Sequence, residues 1–276
     1  MKRGDLAVSA QGFTIVETLI VLAVTSLLFV SVALLINGRQ NRTNFLVGVR
    51  SLQQQFQQII NETESGYYPN NGNFSCSVAG PPLSITSGTT PQGKNQDCIF
   101  AGKTIVVGGT NHTDNYSVYP LAGRRAINGA DVKTPAEASI TAIAKSTANS
   151  HAPVVRDIPL PNNLTYKKAR LANSPSWTTG AFPIALLSSF GNFQSTAGNT
   201  TGSQQLILST YSTWSSGKSD ADNINYEATR GAVQYPVASS GVEYCFNSGG
   251  TNQSVIITIS AGLSVTADVK TGVDCP

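Results

Sequence analysis

Glu17 is the only charged residue among 24 consecutive residues from Phe13 to Ile36, FTIVETLIVLAVTSLLFVSVALLI. An ionisable side chain in an apolar span costs roughly 2–3 kcal/mol on insertion scales and marks a function by default. The other chemically capable residues form weaker patterns. Gly102-Lys103-Thr104 has the ending of a phosphate loop, but position 97, where that loop needs its first Gly, holds Asp97, so the cradle is incomplete. The patterns G-x-S-x-G, H-E-x-x-H and C-x-x-C do not occur in the sequence. His112 and His151 stand among Thr and Ser, where a solvated surface histidine is the expectation. In KSDADNINYE, the oxygen donors Asp220, Asp222, Asn223, Asn225 and Glu227 suit calcium by type but lack the spacing and the Gly of an EF-hand. That stretch reads as a polar loop, with Asp220, Asp222 and Glu227 a weak calcium candidate. No cofactor and no other metal is called for, and the expectation is a protein that is not an enzyme.

Glu17 must be positioned by the apolar run around it. As a helix rising 1.5 Å per residue, that run is about 36 Å long, enough to cross a hydrocarbon core of about 30 Å. It is preceded by a short polar leader, MKRGDLAVSAQG, with Lys2 and Arg3 near its start. Three readings compete. A cleaved secretory signal would use Ser31-Val32-Ala33 as its site, yet the apolar run continues through Leu34, Leu35 and Ile36. A simple retained anchor leaves Glu17 unexplained.

The third reading uses these features together. Gly12-Phe13-Thr14-Ile15-Val16-Glu17, after a basic leader and at the head of an apolar run, resembles the processing site of type IV prepilins and related pseudopilins. The resemblance implies that prepilin peptidase cuts between Gly12 and Phe13 on the cytoplasmic side, removing leader 1–12, and that Phe13 is then N-methylated. It implies that Glu17 pairs with the Phe13 amine of an adjacent subunit, since a carboxylate offsets a charge that is costly in an apolar filament core. The implied partners are prepilin peptidase, other pilin subunits, an assembly ATPase, a membrane platform protein and, before assembly, the cytoplasmic membrane. Two departures stand out: the run lacks the Pro that many pilins carry in its middle, although Asn37-Gly38 could break the helix. The charges also give no clean orientation, with Lys2 and Arg3 facing Arg39, Arg42 and Arg50 across the run. The N-in, C-out orientation therefore rests on the resemblance.

After the span, Phe45, Val49, Leu52, Phe56, Ile59 and Ile60 recur at helical steps, with Gln53, Gln54, Gln55, Gln57 and Gln58 on the other faces. This predicts an amphipathic continuation over 37–65, stopped by Gly66. The organisation expected is leader 1–12, transmembrane half 13–36, amphipathic half 37–65 and a β-rich head over 66–276. Within the head, Tyr67 to Gly72, Gly80-Pro81-Pro82 and Ser87 to Gln92 read as turns or loops. Strands are predicted at Thr104 to Val107, Tyr116 to Tyr119, Gln205 to Ser209, Val242 to Phe246, Ser254 to Ser260 and Leu263 to Val269, the last two as a hairpin around Ala261-Gly262. Thr134-Pro135-Ala136-Glu137 forms a capping box that predicts a helix through Ile140 and Ile143 to near Asn149.

All four Cys lie in the part that would be exported, where oxidation is allowed. Three pairings are open. Cys76 with Cys98 and Cys245 with Cys275 are favoured because each closes a moderate loop, and the second resembles the C-terminal disulfide common in pilins. Charged residues are only 12% of the chain, with a net charge of +3, and more than a third of the residues are Ser, Thr, Asn or Gly. This balance, without basic runs, argues against nucleic acid as the main partner. Trp177, Trp214 and the tyrosines at 211, 226, 235 and 244 read either as a carbohydrate- or protein-binding face or as the small core of the head.

The expected fold class is α+β, a long N-terminal helix packed on an antiparallel β-sheet head. The expected role is that of a structural subunit, a minor or specialised pilin of a bacterial surface filament serving adhesion, motility or DNA uptake. A type II secretion pseudopilin is the alternative within the family; a membrane-anchored extracellular binding domain or enzyme is the alternative outside it.

Overall fold

The computed structural model describes residues 14–66, 74–80, 82–87, 97–109, 112–143, 155–188, 206–227, 238–248, 253–272 and 275. The leader, Gly12, Phe13, the Tyr67 to Gly72 cluster, most of the Ser87 to Gln92 loop, His151 and Tyr235 lie outside the described residues. The fold is mixed α+β, with an apolar N-terminal helix, antiparallel sheets and, among the described residues, no closed barrel. In chain order the elements are α1 (Ile15–Glu64), β1 (Phe74–Ser77), β2 (Ser84–Ser87), β3 (Cys98–Val107), β4 (Asn115–Arg124), β5 (Ala126–Ile127) and β6 (Ala130–Asp131). They continue with α2 (Pro135–Ala138), β7 (Thr141–Ala142), β8 (Arg156–Pro159), β9 (Leu164–Leu171), β10 (Ile184–Ser188), β11 (Leu206–Thr210) and α3 (Asp220–Glu227). The last three are β12 (Val242–Ser248), β13 (Gln253–Ile259) and β14 (Val265–Thr271).

The chain divides into two compact units, one up to Asn44 and one from Phe45 onward. In the first, the window Ile15–Val32 has a mean hydropathy of 2.4 and none of it is buried; the helix is long and apolar enough to cross a membrane. Three of its hydroxyls are satisfied within the helix. Thr18, Thr25 and Ser31 each donate to a carbonyl one turn back, on Ile15, Val21 and Leu27, at 2.8 Å. The helix also runs through Asn37-Gly38 without a break.

In the second unit every apolar residue expected on the helix, Phe45, Val49, Leu52, Phe56, Ile59 and Ile60, is buried. Two sheets share this core. One runs β11-β10-β3-β4-β7 with β8 also on β4; the other runs β14-β13-β12-β9. The glutamines beside the apolar stripe fix the docking. Gln53 donates to the Val265 carbonyl at 2.8 Å, Gln57 accepts from the Val265 amide at 3.3 Å, and Gln55 accepts from the Tyr116 hydroxyl at 3.1 Å. At the helix end, Gly66 adopts φ +67° and its amide reaches the Thr63 carbonyl at 3.1 Å, the expected C′ stop.

The larger sheet is buried on both faces. Along β10, Ile184 and Leu186 face the α1 core, whereas Ala185 and Leu187 join a second core with Leu121, Ile140 and Ile224. Gly102 sits at the bulge in β3 with φ +137°, and a Cβ there would lie 2.0 Å from the Leu186 carbonyl oxygen. The expected strands are all found, and β13 and β14 form the terminal hairpin in register.

The helix predicted from Thr134 is corrected. Its capping box forms, with the Glu137 amide on Thr134 Oγ1 at 3.2 Å and the Thr134 amide on Glu137 Oε2 at 3.3 Å, but α2 ends at Ala138. Ser139 turns left-handed, with φ +51°, and Ile140 and Ile143 are buried beside the sheet rather than along a helix. The remainder of that predicted helix, residues 144–149, lies outside the described residues. The polar loop predicted at 220–227 is likewise corrected: it is helix α3.

Candidate functional site

At the head of α1, Thr14 and Glu17 cap the helix reciprocally. The Thr14 amide and hydroxyl each donate to Glu17 Oε2 at 3.0 Å, and the Glu17 amide donates to Thr14 Oγ1 at 3.3 Å. This is a Thr-x-x-Glu capping box, which satisfies orphan donors of the first turn and places a carboxylate at the positive end of the helix dipole. Glu17 is exposed within the first unit, as are its apolar neighbours Ile15, Val16, Leu19 and Ile20. Gly12 and Phe13 lie outside the described residues, so the cleavage junction has no described geometry.

Near the other end of α1, Glu62 accepts from Lys103 Nζ of β3 at 2.6 Å and from Arg156 Nη2 of β8 at 2.7 Å. Burial acts to raise the Glu62 pKa, but hydrogen bonds from Lys103, Arg156 and Gln58, with the charge of Lys103, outweigh it and hold the carboxyl down to about 2. Burial lowers the Lys103 pKa despite its ion pair. Lys103 is only 1% exposed, so the lysine of the Gly102-Lys103-Thr104 run anchors the helix to the sheet. The spacing of Glu62, Lys103 and Arg156 carries no sequence signal that would have grouped them.

The second unit also holds a cleft of about 510 Å³ between the β3–β4 turn, the segment before β10 and the start of α3. His112 belongs to it, correcting the expectation of a solvated surface residue. The turn through Gly108, whose amide reaches the His112 carbonyl at 3.0 Å, folds His112 beneath α3, where it is 8% exposed. His112 Nδ1 lies 2.9 Å from Asn115 Oδ1, and Nε2 lies 2.8 Å from Asp220 Oδ2. Acceptors at both ring nitrogens suit the imidazolium. Burial opposes that charge, but hydrogen bonds to Asp220 and Asn115, with the negative charges of Asp220 and Asp157, raise the pKa above its ordinary value. Tyr119 donates to the same Asp220 oxygen at 3.1 Å. Both nitrogens of His112 are thus engaged, leaving none to take a proton from Ser215 or Ser216 at the rim.

The calcium candidates do not converge. Asp220 faces His112, the Asp222 carboxylate accepts from the hydroxyl of Ser219, which caps α3 by accepting from the Asp222 amide at 3.2 Å, and Glu227 stands seven residues from Asp220, about 10 Å along the axis. Among the described residues no group of three or more His, Cys, Asp or Glu side chains is placed to share a metal.

The aromatics divide between the two alternatives. Tyr244 is fully buried in the α1 core, Tyr211 and Trp214 meet edge-on at 5.4 Å against the second core, and Tyr226 is exposed beneath Lys218 Nζ at 3.8 Å. Trp177 carries Arg170 over its ring at 4.3 Å. Both expected disulfides are present: Cys76–Cys98 spans 6.3 Å between Cα atoms and Cys245–Cys275 spans 5.8 Å, the latter tying the chain end to β12. No family model matches the chain, and no curated protein or solved structure is significantly similar to it.

Proposed function

We propose that the chain is a structural subunit of a type IV pilus-like filament, a minor or specialised pilin, processed by prepilin peptidase and polymerised through its N-terminal helix. The observation that carries this reading is register: Gly12, Phe13 and Glu17 stand in order after a basic leader, at the head of a helix whose window Ile15–Val32 is apolar and wholly exposed. Unburied leucine, isoleucine and valine side chains on such a surface call for lipid or for other apolar helices. A subunit held in the cytoplasmic membrane and then packed against its copies uses both environments in turn. The assembly ATPase, the platform protein and the N-in, C-out orientation belong to the same proposal.

Intact-mass and N-terminal analysis of the protein from its native membrane tests the reading. N-methylated Phe13 is the expected terminus; Met1, or a terminus after Ala33, would sink it. Recovery of the chain in sheared surface filaments then distinguishes a pilus from the pseudopilus of a type II secretion system.

A further inference from the structure

We propose that the cleft floored by His112 and Asp220 binds a neutral saccharide. This inference stands apart from how the chain is anchored or assembled. A sugar ring presents two chemistries at once, hydroxyls that donate and accept and a C–H face that packs on aromatic rings. The cleft offers both. The half-buried indole of Trp214 forms part of its wall, braced by Tyr211 at 5.4 Å. Asp220 is held by His112 at 2.8 Å and Tyr119 at 3.1 Å, both through Oδ2; its Oδ1 has no partner among the described residues and can accept from sugar hydroxyls. Thr178, Thr179, Ser215 and Ser216 add hydroxyls along the rim. The volume lies within the roughly 300–1,000 Å³ range of small-ligand sites.

The electrostatics select against an anion. Asp220 and Asp222 occupy the first turn of α3 and neutralise the helix end that would otherwise attract phosphate. The His112 charge is matched by Asp220, and the Lys218 ammonium sits over the Tyr226 ring. What remains is a polar, charge-balanced cleft with one aromatic wall, which suits a neutral sugar better than a nucleotide or an acidic glycan.

Gly180 supplies the test. It lines the cleft, and a Cβ added there meets nothing within 4 Å, so Gly180→Gln adds a bulky side chain at the cleft lining without a clash. The full chain in detergent is applied to immobilised glycans ending in glucose, galactose, mannose or N-acetylhexosamine, beside sulfated and uronate-terminated controls. The expected result is retention of a neutral glycan, insensitive to salt, weakened about tenfold or more by Gly180→Gln and by Trp214→Ala, and unchanged by Trp177→Phe. Because Trp214→Ala removes a ring packed on the second core, Gly180→Gln, with its thermal midpoint matched to wild type, decides the case. Retention of no glycan, retention only of acidic glycans in a salt-sensitive manner, or equal binding by Gly180→Gln overturns the proposal. None of these outcomes bears on the identity of the N-terminus, so the two readings fail separately.

Discussion

Glu17 has one observed role and, under the proposed function, a second that separates from it by chemistry. As the fourth residue of a Thr-x-x-Glu box it completes the first turn of α1; as a carboxylate it would neutralise the amine of a neighbouring subunit. Glutamine serves the box but carries no charge. Glu17→Ala and Glu17→Gln should therefore both leave cleavage after Gly12 intact and both fail to enter sheared filaments; filaments built with the Gln variant would show that capping alone suffices. The box is legible in Thr14-Ile15-Val16-Glu17, which has the same spacing as Thr134 to Glu137. His112 was not legible, because its partner Asp220 is 108 residues away. Its pKa is raised on folding, so its contribution to stability is complete below the ordinary value of 6.5 and disappears as pH rises through the folded value. Asn115, Asp157, Tyr119 and Asp220 are the groups around it. The thermal midpoint of the wild type should fall relative to His112→Gln as pH rises above the ordinary histidine value, and parallel curves would refute this.

The amphipathic half of α1 was read correctly because a helical stripe of six apolar residues has one face to bury, and all six are buried. β10, Ile184 to Ser188, escaped prediction for the opposite reason: lying between two cores, it is apolar on both faces and shows no alternation. The helix from Thr134 failed because a cap begins a helix but does not sustain one. The burial of Ile140 and Ile143 against the sheet outweighs the propensity to continue. Glu62 belongs to this scale, since it joins three elements. Replacing it with Gln leaves Lys103 buried and Arg156 half-buried without their carboxylate, and should cost about 3 kcal/mol in denaturant unfolding at neutral pH. The folded carboxyl titrates near 2 against an ordinary 4.5. The wild type should therefore lose this stabilisation as pH falls from about 4.5 towards 2, while Glu62→Gln loses less over that window.

Across the molecule, the disulfides close loops whose partners lie 22 and 30 residues apart, and the chain-entropy relation assigns each about 3.5 kcal/mol. Cys245→Ala with Cys275→Ala should lower unfolding stability by about that amount, measured against the wild type with and without reductant; no difference would show that β12, β13 and β14 hold the chain end unaided. The low charge has a structural counterpart here, because Gln53, Gln55 and Gln57 hold α1 by neutral hydrogen bonds and Glu62 supplies its buried ion pairs. This attachment has a mechanical meaning. From Phe45 to Glu62 the helix is fastened over about 26 Å, by apolar side chains along one face, by glutamines to Val265 and Tyr116, and by a carboxylate to two strands. Tension on α1 is shared among these fastenings rather than borne by one. Peeling residues 45–62 from the sheets requires many of these fastenings to yield together.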